Sequence, residues 1–311
     1  MAEPNISVLI CTYNGETGIE PLLQSLLEQN VPDGVVYEIV VVDNNSRDGT
    51  VALAERLAQE NPGRISVLKE SKQGKSYALN RGLQSVRGEI CCVIDQDQIL
   101  PADYLAIVWN TFQQNPSANF IGGRVLPLPE QRLADWITRE HWNVLAICDY
   151  GTEAFTVDSQ RFVCLLAGAF RTSAMRLAGG YSEHLGIRPG RLGSVEDEDL
   201  YSRLIKQGGT GRYTPEILVY HNVGEERFHK DHHRRWHFGH GKYYSDLRLP
   251  SFESSSFSVL GVPGHAIRAG AGNFWEMALQ RMKGSSEQAF LHELRWRFYL
   301  GYILRRWKLQ E

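Results

Sequence analysis

The first hundred residues alternate short β-branched runs with stretches of helical periodicity, and that alternation leaves few architectures open. Apolar runs at residues 6–11, 38–42, 65–68 and 89–94 have the length and composition of strands. Between the first two, Ile19, Leu22, Leu23, Leu26 and Leu27 recur at helical spacing, with Pro21 tolerable if it sits in the first turn. A second helix runs from the turn-rich segment 43–50 through Leu57, and a third covers 76–86. Strands separated by helical crossovers pair in parallel and need cover on both sides. The expected fold class is therefore α/β, a mostly parallel sheet with helices on both faces. Ligands of such sheets gather at the carboxyl ends of the strands.

Size and charge narrow the function. A chain of 311 residues with 42% hydrophobic content can bury one large core and a modest second unit. Its formal net charge of -3 argues against a nucleic-acid partner, which would require an excess of cations to neutralise phosphates. The five cysteines are odd in number and contain no Cys-x-x-Cys pair, as expected of free thiols in a reducing compartment. No basic start followed by an apolar stretch opens the chain, and no run of about eighteen apolar residues occurs. The expectation is a cytoplasmic protein without a spanning helix.

Three loops converge on the carboxyl edge, with a fourth nearby. Thr12-Tyr13-Asn14 follows the first strand, Asp43 through Asp48 the second, and Asp95-Gln96-Asp97 the fourth, with Gly74-Lys75-Ser76 beside them. Residues i and i+2 leaving a strand point the same way, so Asp95 and Asp97 could face one divalent ion. Hard oxygen ligands suit Mg²⁺ or Mn²⁺ carrying a diphosphate. Each loop also has a plain structural explanation. Asp43 and Asp48 are turn formers, Tyr13 fits a packed aromatic, and a lysine such as Lys75 is commonly a solvated charge.

Taken in order and spacing, these loops resemble the nucleotide-sugar half of family 2 glycosyltransferases, which have the glycosyltransferase A fold; the resemblance spans roughly residues 5 to 225. It implies that Thr12, Tyr13, Asn14 and Asp43 hold the nucleoside. The carboxylate pair would carry metal and diphosphate, and Lys75 would neutralise phosphate oxygens. Gln96 and Gln98 stand where the family has a small residue and often a third acid. Asp97 thus becomes the principal metal contact, with Asp95 on ribose or metal-bound water.

A second acidic segment, Glu196-Asp197-Glu198-Asp199, leads into Leu200, Leu204 and Ile205 at helical spacing. Acids at a helix start complement exposed N–H groups and the macrodipole, which would explain them without chemistry. In the family a Glu-Asp pair after a small-residue loop supplies the catalytic base. The match is Asp197 as base, with Glu196 orienting it or the acceptor. One base opposite the leaving group gives inversion. Downstream, Gly211-Arg212-Tyr213 and 217–220 have the character of short strands ending at His221. His221 is either a hydrogen-bonded surface residue or, as in related enzymes, a further metal or phosphate contact.

Residues 226–311 are expected to form a helical extension to a catalytic domain at 1–225. His229, His233, His237 and His240 fall at helical spacings, which would suit a polar helix face or a zinc site. His232-His233-Arg234-Arg235-Trp236 resembles the Q-x-x-R-W motif of polysaccharide-forming members, with His in the Gln position. It implies Arg235 on the diphosphate and Trp236 stacked on an acceptor sugar. The missing Gln and the lack of spanning helices count against a processive polymer synthase. Residues 251–272 have the composition of a linker or lid. Segment 290–307 has two apolar sides, one carrying Trp296, Leu300 and Trp307, the other Leu291, Leu294, Phe298 and Tyr302 beside arginines. The second side suits a membrane interface, or the helix belongs to a core or a homodimer.

The expected activity is inverting, metal-dependent transfer from a nucleotide-diphosphate sugar, UDP-linked by preference, to a glycan or lipid-linked hydroxyl. A dehydrogenase would need Gly-x-Gly-x-x-Gly after the first strand, and Cys11-Thr12-Tyr13-Asn14-Gly15 does not supply it. Lys69 stands where a P-loop has its first glycine. The alternatives are a sugar nucleotidyltransferase, whose usual Gly-rich basic loop after the first strand is missing, and a sugar-nucleotide-binding protein of lectin-like or scaffolding role without transfer, against whose decayed site the acids Asp43, Asp95, Asp97 and Asp197 argue.

Overall fold

A computed structural model describes residues 3–159, 161, 165–166, 168–187, 192, 195–255 and 257–307. Cys164 and the small-residue loop before Glu196, Gly193-Ser194, lie outside the described residues. The chain groups into two compact units. The first holds Met1–Gln131, Ala146–His184 and Asp197–Val223; the second holds Arg132–Leu145, Leu185–Glu196 and Gly224–Glu311. Glu196 and Asp197 thus fall on either side of the division.

The first unit contains β1 (Ile6–Thr12), α1 (Glu16–Leu27), β2 (Tyr37–Asp43), α2 (Thr50–Glu60), β3 (Ile65–Lys69), α3 (Lys75–Leu83) and β4 (Ile90–Asp95). Then come β5 (Gln98–Ile99), α4 (Tyr104–Gln114), β6 (Ala118–Pro127), β7 (Phe155–Val157), β8 (Ala169–Arg171), α5 (Thr172–Leu177), α6 (Glu196–Lys206, in this unit from Asp197 on) and β9 (Thr210–His221). Pro21 lies inside α1 rather than in its first turn, because the helix begins at Glu16. The strands form one sheet in the order β3-β2-β1-β4-β8-β6-β9-β5, with β7 beside the start of β9. Pairing is parallel from β3 to β4 and between β6 and β9. It is antiparallel over the short pairings where β8 joins β4 and β6, and where β5 and β7 join β9, so the sheet is mixed, with the long pairings parallel as expected. The two short strands expected at 211–213 and 217–220 are one long β9, with register shifts against β6.

Alternation along the strands divides the interior in two. Val8, Ile10, Ile39, Val41, Ile90 and Cys92 face α1, α2 and α4, meeting Leu22, Leu57, Val108 and Phe112. Leu9, Val40, Val42 and Cys91 face the other way, onto Leu79 of α3, Met175 of α5 and Leu200 and Leu204 of α6. This period of two places helices on both faces, as the apolar runs require.

The second unit contains α7 (Lys230–Leu247), α8 (Pro250–Glu253), the hairpin β10 (Ser258–Val259) and β11 (Val262–Pro263), α9 (Gly264–Met282) and α10 (Ser286–Arg306), with a 3-10 helix over Arg139–Leu145. Residues 251–272, expected as a linker or lid, are thus mostly ordered elements. Helix α10 packs on both α7 and α9. Leu294 and Tyr302 of the side that suited a membrane interface are buried, and Arg305 and Arg306 pair with Asp246 and Glu253. The apolar width of α10 is therefore used in packing. Buried Glu293 accepts from Arg234 at 2.8 Å, Arg297 at 3.1 Å and Arg281 at 3.2 Å, tying the three long helices together. Among the described residues no helix is long and apolar enough to cross a membrane.

Candidate active site

Gln96, the departure from the family pattern, is the side chain that assembles the first loop. Its Oε1 accepts from Thr12 Oγ1 at 2.6 Å and from the Tyr13 amide at 2.9 Å, while its Nε2 donates to the Tyr13 carbonyl at 3.3 Å. A Cβ on Gly15 would fall 2.3 Å from Gln96 Oε1, and one on Gly18 2.5 Å from the Gln96 carbonyl, so both glycines are required for this approach. Asn14, in the left-handed region at φ 47°, joins the first loop to the second. Its amide donates to Ser46 Oγ and its Oδ1 accepts from the Arg47 amide, each at 2.9 Å.

Asp43 is buried at the end of β2, where its carboxylate accepts the Ser46 amide at 3.2 Å. Asp48 takes the amides of Glu16 and Thr50, one from each of α1 and α2. Both acids therefore act as turn formers, and Asp43 does so at the carboxyl edge. Asn44, which sequence reasoning did not single out, clamps the third loop. Its Nδ2 donates to the carbonyls of Glu70 and Lys72, and its Oδ1 accepts the Gly74 amide at 2.6 Å. Gly74 has φ 142° and ψ 137°, a conformation that is essentially glycine's alone. It turns the chain so that Lys75 begins α3.

Lys75 Nζ lies 2.6 Å from Asp95 Oδ1. Both residues, with Asp197, line a cleft whose walls include Gln98, Leu165, Phe170, Tyr181 and Tyr201. Asp197 comes from the start of α6, more than a hundred residues beyond the other two. Desolvation raises the Asp197 pKa above the ordinary carboxylate value, with the Lys75 charge opposing and the Asp95 charge adding.

The four-acid run resolves residue by residue. Glu196 is buried. Asp199 is structural: it accepts from Ser182 Oγ at 2.5 Å and pairs with Arg203 at 2.7 Å. Arg203 also reaches the carbonyls of Ala178 and Gly180. Glu198 has an Oε2 that is buried without a hydrogen-bond partner among the described residues, and burial together with the Asp197 charge pushes its carboxyl up to about 7. Asp197 is the member of the run that lines the cleft with Lys75 and Asp95.

Asp97 turns away from Asp95 to a different partner, because residues 96 and 97 form a turn rather than a continuation of β4. Its Oδ2 lies 3.1 Å from His221 Nε2 at the end of β9, and its carbonyl accepts the Asn222 amide at 2.8 Å. His221 is buried, and among the described residues its Nδ1 has no hydrogen-bond partner. Its Nε2 faces Asp97, where it can donate to the carboxylate or, in the other tautomer, offer a lone pair to a cation. Among the described residues no group of three His, Cys, Asp or Glu is placed to hold a metal. A cation here would take the rest of its shell from diphosphate oxygens and water, as Mg²⁺ commonly does.

Among the described residues the histidines of α7 are not grouped as zinc ligands. His233 Nε2 lies 2.8 Å from the Arg227 carbonyl, and burial pushes the pKa of His233 down to about 4 and that of His237 to about 3. His240 stacks on Trp236 at 4.5 Å, so one face of that indole is already covered. Arg235 is exposed, while Arg234 is the arginine turned to Glu293.

The sheet and its edge define a glycosyltransferase A-like protein, and the comparisons agree. The fold matches the mannosyltransferase PcManGT from Pyrobaculum calidifontis, solved with GDP-Man and Mn²⁺, with TM-score 0.61 at 17% identity over 100% of this chain and 89% of that one. It also matches S. aureus TarS 1-349 in complex with UDP, with TM-score 0.55 at 17% identity over 96% and 89%. The family model described as "Glycosyl transferase family 2" matches residues 7–173, and the chain belongs to that family. Among its relatives is the putative glycosyltransferase EpsH of Bacillus subtilis, 34% identical over 33% of this chain and 29% of that one. Another is the glucosyl-dolichyl phosphate glucuronosyltransferase of Haloferax volcanii, 24% identical over 79% and 78%. The matches to the first relatives span less than a third of those proteins' length.

Proposed function

We propose that this chain transfers a sugar from a nucleotide-diphosphate donor, UDP-linked by preference, to a hydroxyl of a glycan or lipid-linked acceptor with inversion at the anomeric carbon. The observation that carries this is the meeting of Asp197, Lys75 and Asp95 in one cleft at the carboxyl edge of the sheet. Thr12, Tyr13, Asn14 and Asp43 form the nucleoside end, on the loops that Gln96 and Asn44 hold together. Lys75 neutralises phosphate oxygens, with Asp95 setting its position and reaching ribose or metal-bound water.

Asp97 and His221 would hold Mn²⁺ or Mg²⁺, which when bound supplies a Lewis acid for the departing diphosphate. Asp197 takes the proton of the acceptor hydroxyl as its oxygen bonds to the anomeric carbon and the bond to the diphosphate oxygen breaks. Its raised pKa makes it a stronger base than a solvated aspartate, and the Lys75 charge helps keep it ionised. Rate should therefore rise with pH along a limb lying above the usual carboxylate range. Arg235 and Trp236 are assigned to the acceptor or diphosphate. The neighbours' ligands, UDP in one and GDP-Man with Mn²⁺ in the other, support a nucleotide donor and a divalent ion.

The test is a panel of nucleotide sugars assayed for Mn²⁺-dependent turnover, with Asp197→Asn alongside. Loss of transfer by about 10²–10⁴-fold with UDP binding near normal is expected of a lost general base. Full activity in Asp197→Asn refutes the assignment.

A further inference from the structure

Helix α9 carries apolar residues on its exposed face as well as on its packed one. Its buried residues are Ala266, Gly270 and Met277, and a Cβ on Gly270 would lie 3.1 Å from Tyr299 Cβ of α10, a close approach at that position. At 100° per residue the opposite face carries Arg268, Trp275, Leu279 and Met282. Trp275 is 67% exposed and Met282 80%, with Leu279 at 39%. A surface helix normally turns its charged residues outward. A contiguous exposed patch built on a tryptophan marks an interaction site.

We infer that this face of α9 docks on an anionic lipid surface. Charge selects that partner. The chain as a whole carries -3, yet residues 257–285 hold the cations Arg268 and Lys283 against the single acid Glu276, with Arg281 engaged by Glu293. Arg268 opens the outward face and Lys283 follows its end, with the apolar residues between, an arrangement suited to acyl chains below phosphate groups. Trp275 is the side chain expected at the level of the headgroups. A second copy fits worse. In a two-fold contact the patch meets itself, and antiparallel pairing of α9 brings Arg268 of one copy toward Lys283 of the other. The hairpin turn ahead of α9 bares Leu260, 81% exposed, as a further apolar contact in the same unit. This surface is independent of the transfer chemistry and is tested apart from it.

The experiment is flotation of the full chain with phosphatidylcholine vesicles, with and without about one third phosphatidylglycerol. The wild type is expected to float with the anionic vesicles and to lose binding as salt rises. The variant Trp275→Ser/Leu279→Ser/Met282→Ser should bind at least about tenfold more weakly. Arg268→Gln/Lys283→Gln should lose about fivefold per cation on anionic vesicles alone. Both variants should keep the wild-type thermal shift with UDP and Mn²⁺, which separates a lost surface from a lost fold. The inference is overturned if the wild type ignores anionic vesicles or if the triple serine variant floats like wild type. It is also overturned if light scattering shows a dimer that the triple variant breaks, for the face is then a subunit seam.

Discussion

Changing Glu198 to Gln removes a buried charge while keeping the side chain's shape. Burial and the neighbouring Asp197 charge raise the Glu198 carboxyl from 4.5 to about 7, and its Oε2 has no partner among the described residues to offset the loss of water. That rise corresponds to about 3 kcal/mol between the two protonation states. The folded pKa exceeds the unfolded one, so the folded state binds the proton more tightly. The wild type therefore has its full stability below about pH 4.5, loses it as pH climbs to about 7, and is flat above. The amide introduced by Glu198→Gln titrates nowhere in this range. Urea unfolding of both proteins across about pH 4.5 to 8 should show the variant gaining about 3 kcal/mol relative to wild type. Transfer should persist, since Asp197 remains. A stability difference that does not change with pH would refute the buried, unpaired carboxylate, and loss of transfer would move the base to Glu198.

Gly74→Ala forces a β-carbon into backbone at φ 142° and should cost about 1–3 kcal/mol, seen as a lower melting temperature together with weaker UDP binding as Lys75 shifts. Glu293→Gln leaves Arg234, Arg281 and Arg297 around a buried amide and should destabilise by about 3–5 kcal/mol in thermal melts; a near-neutral result would mean the three arginines are adequately solvated without it. Chelation of divalent ions, and separately Asp97→Ala or His221→Ala, should abolish the UDP-dependent thermal shift, which Mn²⁺ restores to wild type alone. Metal-free turnover at the wild-type rate would remove the ion from the scheme.

Periodicity alone placed β1 to β4 within a residue or two, because alternation is a local consequence of the pleat: Leu9, Val40 and Val42 had to face away from Val8, Ile39 and Val41. The order of polar loops at the strand ends then located the candidate site, since the carboxyl edge follows from parallel pairing. Partners were another matter. Asp95 and Asp97 are two residues apart, yet one meets Lys75 and the other His221 from the far end of the sheet, and nothing local distinguishes them. Gln96 and Asn44 were legible as polar residues, but their hydrogen bonds span 26 to 84 positions.

What the sequence determined by itself was the type and facing of each early element, and the edge to which its acids are delivered. Tertiary structure alone decided that Asp197, of four adjacent acids, enters the cleft, that Asp199 is engaged by Arg203, and that α10 is packed while α9 bares its tryptophan. Local spacing fixes a side chain's direction around its own axis. What waits in that direction depends on long-range packing, which no short stretch of sequence encodes.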